Sequence, residues 1–193
     1  MNRYARIAKI KNKMIEIGVP EEIITKINFP EGTNGRPNPE KTVALINQMD
    51  ELLTEEQRLL IMQEQGCFKS GEAEKAHRGF GREHKNKSIK EKIELLNKAE
   101  IPHNPPCRLN DDGTLSIFWS YGSEGNLKCV CGIVNSLKQP QIIPLTFCGC
   151  CGAHARSNFQ KSLGVELKMK EIVSSAANSK GEKQCEFLFG IIG

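Results

Sequence analysis

The sequence predicts an α+β fold: a helical N-terminal half followed by a C-terminal part with an antiparallel sheet and at least one packed helix. Three observations predict it. Apolar residues recur at helical spacing, with start and stop signals, as far as about residue 98. Pro102, Pro105 and Pro106 then end that pattern, and runs rich in β-formers follow. All eight cysteines lie between Cys67 and Cys185, and the first 66 residues hold none. The chain of 193 residues accordingly divides into a helical region, 1–100, and a Cys-rich α+β region, 101–193, either separate or integrated as one domain.

The elements follow in order. Residues 2–17 place Tyr4, Ile7, Ala8, Lys11, Met14 and Ile15 on one helical stripe, stopped by Gly18. Pro20-Glu21-Glu22 opens a short helix to Lys26, and the Pro- and Gly-rich segment 29–39 is a loop. Pro39 starts a third helix with Val43, Leu45, Ile46, Met49, Leu52 and Leu53 inward. Thr54-Glu55-Glu56-Gln57 and Ser88-Ile89-Lys90-Glu91 are capping boxes opening further helices. Between them, Cys67 to Gly71 reads as a turn and Glu72 to His84 as a polar helix. Asn110-Asp111-Asp112-Gly113 is a turn, so Asp111 and Asp112 read as turn formers rather than a catalytic pair. Thr114 to Tyr121 reads as a strand, with Lys128 to Asn135 as its hairpin partner; Cys129 and Cys131 would then share a face. Thr146 to Gly152 is a glycine-bearing turn leading into a helix from Ala153 to Leu163, stopped by Gly164. Val165 to Val173 is a strand with Val165, Leu167, Met169 and Glu171 on one face. A turn at Asn178 to Gly181 leads to a final strand, Cys185 to Ile192.

Composition limits the function. The net charge is +4, and each half of the chain carries +2, too weak a balance to argue for nucleic acid. The local excess between Cys67 and Lys92, eight Lys/Arg against four Glu, fits a solvated helical face. No apolar run approaches the roughly 20 residues that span a bilayer, and the first residues lack the apolar region of a signal peptide. The expected location is cytoplasmic, where thiols stay reduced and clustered cysteines read as metal ligands or redox centres.

Cys129-x-Cys131, Cys148-x-Cys150-Cys151 and Cys185 form that cluster. Cys148 and Cys151 have the C-x-x-C spacing of a zinc knuckle, and 16 residues separate Cys131 from Cys148, enough to bring both groups together. Zinc is the default metal; an iron–sulfur cluster fits less well, because C-x-C-C lacks the ferredoxin spacings. Spacing leaves open which four residues bind. Cys67 and Cys107 stand alone and read as packing residues. A second chemistry is open at Cys150 and Cys151: lying just before a helix N-terminus, either could be a reactive thiolate, with His154 near in sequence. His77 and His84 read as surface residues, and Phe118, Trp119, Phe147 and Phe159 as core.

The run Cys148-Gly149-Cys150-Cys151, Leu163-Gly164-Val165, Glu171, Gly181 and Cys185-Glu186-Phe187 resembles an uncharacterised bacterial Cys-rich family. The C-terminal third also resembles, more distantly, the 4-vinyl-reductase-type domain of hydrocarbon-sensing regulators. That resemblance implies an α+β small-molecule-binding fold with a zinc site of cysteines and a strand glutamate. Cys185 matches the final cysteine and Glu171 the glutamate, with the Cys148–Cys151 group in the earlier cysteine's place. Ser174-Ser175 stands where a further cysteine is expected, so Cys129 or Cys131 would supply that ligand. The expectation is a zinc-binding protein that binds or senses a small apolar ligand. The alternative is a thiol-dependent enzyme or redox protein using Cys150 or Cys151. The sequence names neither ligand nor oligomeric state.

Overall fold

The computed structural model describes residues 4–30, 38–66 and 71–192, with side chains from Lys9 onward. Cys67, the turn that holds it and most of the 29–39 loop lie outside the described residues. Helices α1 (Tyr4–Glu16), α2 (Glu21–Ile24), α3 (Pro39–Leu52), α4 (Glu55–Met62), α5 (Gly71–Glu83) and α6 (Ile89–Leu96) precede strands β1 (Cys107–Leu109), β2 (Leu115–Trp119), β3 (Gly122–Ser123) and β4 (Asn126–Leu127). Helix α7 (Gly149–Leu163) and strands β5 (Glu166–Ser174) and β6 (Cys185–Ile192) complete the α+β fold.

Both capping boxes are formed. Thr54 Oγ1 accepts from the Gln57 amide while Gln57 Oε1 accepts from the Thr54 amide, and Ser88 and Glu91 repeat the arrangement. These bonds satisfy N–H groups that helix geometry leaves unpaired, which is why these two starts were readable. The α1 stripe is rotated from its expected position: Ile10 and Met14, four apart, are buried, whereas Ile15 is 60% exposed and Lys11 is exposed. Residues four apart lie one above the other on a helix, so Ile10 and Met14 share the buried face and Ile15, one position on, turns away.

The main sheet runs β1-β2-β6-β5, antiparallel throughout, with Leu115 opposite Phe189, Ile117 opposite Phe187 and Trp119 opposite Cys185. The expected hairpin partner, Lys128 to Asn135, is not a strand. Strands β3 and β4 form a separate two-stranded ribbon, and coil with a 3₁₀ turn at Val134–Ser136 follows. The reason is that both hydrogen-bonding edges of β2 are already taken, one by β1 and the other by β6. A bulge in β5 between Met169 and Glu171 resets the alternation, so Leu167, Met169 and Ile172 are buried and Glu171 is exposed.

Helix α7 lies on this sheet and begins four residues earlier than expected. A Cβ on Gly152 would stand 2.5 Å from Met169 Cε and 2.8 Å from Phe187 Cδ1, and one on Gly149 2.5 Å from Met62 Cβ. These glycines are contact points inside a helix, not turn residues. Gly164 ends α7 in the left-handed region, φ 71° and ψ 30°, as expected. Lys92, buried on α6, donates Nζ–H to the Leu163 carbonyl at 2.7 Å, placing a cation at the negative end of α7.

Two apolar clusters result, and both cross the 100/101 division. One joins α1–α4 with Ile143 and Phe147; the other joins Phe80, Ile93 and Leu96 of α5 and α6 with α7 and the sheet. Phe159, Phe187 and Phe189 are fully buried in the second. Each contributes about 2–3 kcal/mol by removal from water.

Candidate functional site

Three chain segments deliver six thiols to one cavity of about 390 Å³. Cys129 and Cys131 come from the coil after β4, where the Cys131 amide donates to Cys129 Sγ at 3.4 Å. Cys148 is the N-cap of α7, and Cys150 and Cys151 lie in its first turn rather than before it. Cys185 opens β6, directly across from Trp119. All six line the cavity.

The remaining candidates fall elsewhere. Glu171, exposed on β5, is not among the lining residues. Cys107 is buried in β1, where its Sγ donates to Asn97 Oδ1 at 3.5 Å. Burial pushes this thiol up to about 12. At pH 8 its thiolate fraction is then about a thousandth of an ordinary cysteine's. Cys107 is therefore expected to react with iodoacetamide at least about a thousandfold more slowly than a free cysteine, read by peptide mass spectrometry over time. A comparable rate would refute the buried placement.

Within the cavity, Cys148 is also pushed up to about 12. Burial is the largest cause; Cys185, Cys129 and Cys131 add to it, and a hydrogen bond with Ser175 opposes it. Burial likewise raises Cys185, against a hydrogen bond from the Ala176 backbone. Among the described residues, no group of three or more His, Cys, Asp or Glu is arranged to hold a metal ion. The six thiols converge without closing into a ligand set. Thiols are weak donors and acceptors, and only as thiolates do they bind a metal.

Sequence reasoning missed the other wall. Trp119, half-buried at the end of β2, stacks with Tyr121 at 5.9 Å and 20° and lies 5.8 Å from the His154 ring and 6.4 Å from His103. All four line the cavity, and so does Phe147, so the aromatic residues are partly lining rather than only core. The Trp119 Nε1–H is buried and meets no acceptor among the described residues. An unpaired buried donor costs about 1–3 kcal/mol. His154 is buried, four residues from both Cys150 and Asn158 on α7. Asn158 Nδ2 lies 3.4 Å from the His103 carbonyl, which sets it as donor, and 3.3 Å from His154 Nε2. His154 Nε2 is therefore the acceptor, and the ring proton sits on Nδ1. Lys128, exposed, stands at the same cavity; no Asp or Glu lines it.

His77 also departs from expectation. It is fully buried between α5 and α7, with Nδ1 2.7 Å from Ser162 Oγ. Its Nε2 lies toward the Pro102 and His103 carbonyls without a hydrogen bond of good geometry. His84 is half-buried, edge-on to Phe80 at 4.4 Å.

A larger, shallower groove of about 620 Å³ is lined by Val134, Leu137, Ile142 and neighbouring residues. It holds none of the thiols, and Lys180 is its one charged lining residue, so the chemistry lies in the cysteine cavity. No described helix is long and apolar enough to cross a membrane. Comparison with family models, curated proteins and solved structures found no match to this chain.

Proposed function

We propose that this protein binds a metal ion, zinc by default, through a subset of its clustered thiols, and binds a small ligand in the adjoining cavity. The observation that carries the reading is the convergence of six cysteines, from segments up to 56 positions apart, on one cavity. Cys129, Cys131, Cys148 and Cys185 are the favoured ligand set, because the three others are the thiols whose charge acts on Cys148. Zinc would supply the charge that lets buried thiols ionise. Glu171 is left out of the set because it is exposed and away from the cavity. The small-molecule half of the reading rests on the cavity and on the sequence resemblance of Leu163-Gly164-Val165, Gly181 and Cys185-Glu186-Phe187 to the 4-vinyl-reductase-type domain. A cytoplasmic location would keep these thiols reduced.

The test is metal analysis of protein purified without chelator. About one zinc per chain is expected, falling to a small fraction in Cys148→Ser and Cys185→Ser variants that still fold by circular dichroism. Absence of stoichiometric metal would sink the metal half. A second reading, a thiol-dependent enzyme or redox protein using Cys150 or Cys151, is favoured by their place in the first turn of α7 beside His154. Alkylation of either thiol, complete within seconds at pH 6, would favour it.

A further inference from the structure

Two groups at the cysteine cavity favour a negative charge, beside the His103 ring and the Tyr121 hydroxyl, which can donate or accept. Lys128 is a cation at its wall and makes no ion pair among the described residues. Trp119 contributes an indole N–H, a group that can only donate, and it is buried without an acceptor. His154 has one acceptor nitrogen, and Asn158 occupies it. No carboxylate lines the cavity, and no Asn or Gln offers a side-chain carbonyl there. Thiols accept weakly. A buried donor without a partner in a folded protein calls for an acceptor supplied from elsewhere.

The rest of the wall sets the body of the ligand. Trp119 and Tyr121 are stacked within 20° of parallel, a flat apolar face, and Phe147, Val130 and Ile133 extend it. The volume of about 390 Å³ suits a molecule of ten to a few tens of non-hydrogen atoms. Residues 128–133, part of the lining, are coil and turn, the irregular segment whose displacement a ligand would need to reach the covered indole.

We propose that the ligand of this cavity is a small flat carboxylate, its apolar body against Trp119 and Tyr121 and its anionic oxygens taken by the Trp119 indole N–H and the Lys128 ammonium. The proposal rests on the small-molecule half of the function proposed above and not on the metal half. A neutral apolar guest would leave the indole unpaired, whereas a carboxylate gives it a charge-assisted bond.

Trp119 is the single tryptophan, so its indole N–H gives one nitrogen–proton NMR signal. The probes are benzoate and α-methylstyrene, which have nearly the same shape and differ in the anionic group. Benzoate is expected to bind saturably, roughly tenfold or more tighter than α-methylstyrene, and to move the indole proton downfield. Lys128→Met is expected to weaken benzoate about fivefold to tenfold and leave α-methylstyrene unchanged. Equal binding of the two probes, or benzoate binding with the indole proton unmoved, overturns the proposal and leaves an apolar-ligand cavity standing. Binding of neither probe overturns both. Metal content measured on the same samples reports on the metal half separately.

Discussion

Replacing Gly81 with alanine is expected to cost about 3 kcal/mol of stability, the upper range for overpacking. A Cβ at this position would stand 2.1 Å from the Lys161 carbonyl oxygen and 3.3 Å from that of Ser162. Both are backbone atoms of α7, so no side chain can rotate out of the way. Helix α5 would have to move off α7, and the contacts that depend on this approach would loosen with it, among them the 2.7 Å contact between His77 Nδ1 and Ser162 Oγ. The gain in helix propensity, up to about 1 kcal/mol, offsets only part. Gly79, two residues earlier on the same helix, has nothing within 4 Å of its Cβ position. Gly79→Ala is therefore expected to stabilise by up to about 1 kcal/mol. Urea midpoints at constant slope would show the opposite signs. Two shifts of the same sign would show that α5 does not approach α7 through Gly81.

Acidification to pH 4.5 is expected to remove about 2 kcal/mol of stability through His77 alone. Burial is the main cause that lowers this imidazole from 6.5 to about 4, with Lys161 and His154 acting in the same direction, while the carbonyls of His103 and Pro102 oppose them. The folded state therefore holds His77 neutral, and the unfolded chain binds its proton first. The stabilisation is present in full above pH 6.5 and is lost as pH falls from there toward 4. His77→Gln removes the titration. Its unfolding free energy should change less between pH 7 and pH 4.5 than that of the parent protein, by about that amount. Equal changes in both would mean that His77 is hydrated in the native state.

Both effects arise from contacts with α7, about 80 residues away in sequence, which sequence reading does not reach. Helix starts declared by local chemistry, at Thr54 and Ser88, were legible because the capping bonds lie within four residues. The stop at Gly164 and the extent of β6 were legible for similar reasons. What escaped depends on neighbours distant in sequence. The polar composition of α5 reads as a solvated face, yet α7 covers His77 from 85 residues away. Gly149 and Gly152 read as turn punctuation because a close approach by Met62, Met169 or Phe187 leaves no local trace. The bulge that turns Glu171 outward, and the three-residue β1 that takes the edge of β2, are set by pairing partners. At the site, the six clustered cysteines could be named from spacing. Their aromatic and cationic neighbours, Trp119, Tyr121, His103 and Lys128, lie on segments that only the fold brings together.

Strand β6 is the last element in the chain, yet it lies inside the sheet, between β2 and β5. Its first residue is Cys185, so one cavity wall is synthesised after all the others. At translation rates of roughly 5–20 residues per second, the 34 positions from Cys151 to Cys185 correspond to about 2–7 s. During that interval the five earlier thiols of the cavity have no sixth. The nascent chain thus passes through a stage in which five of the cavity's six thiols are made and the strand that carries the last is not.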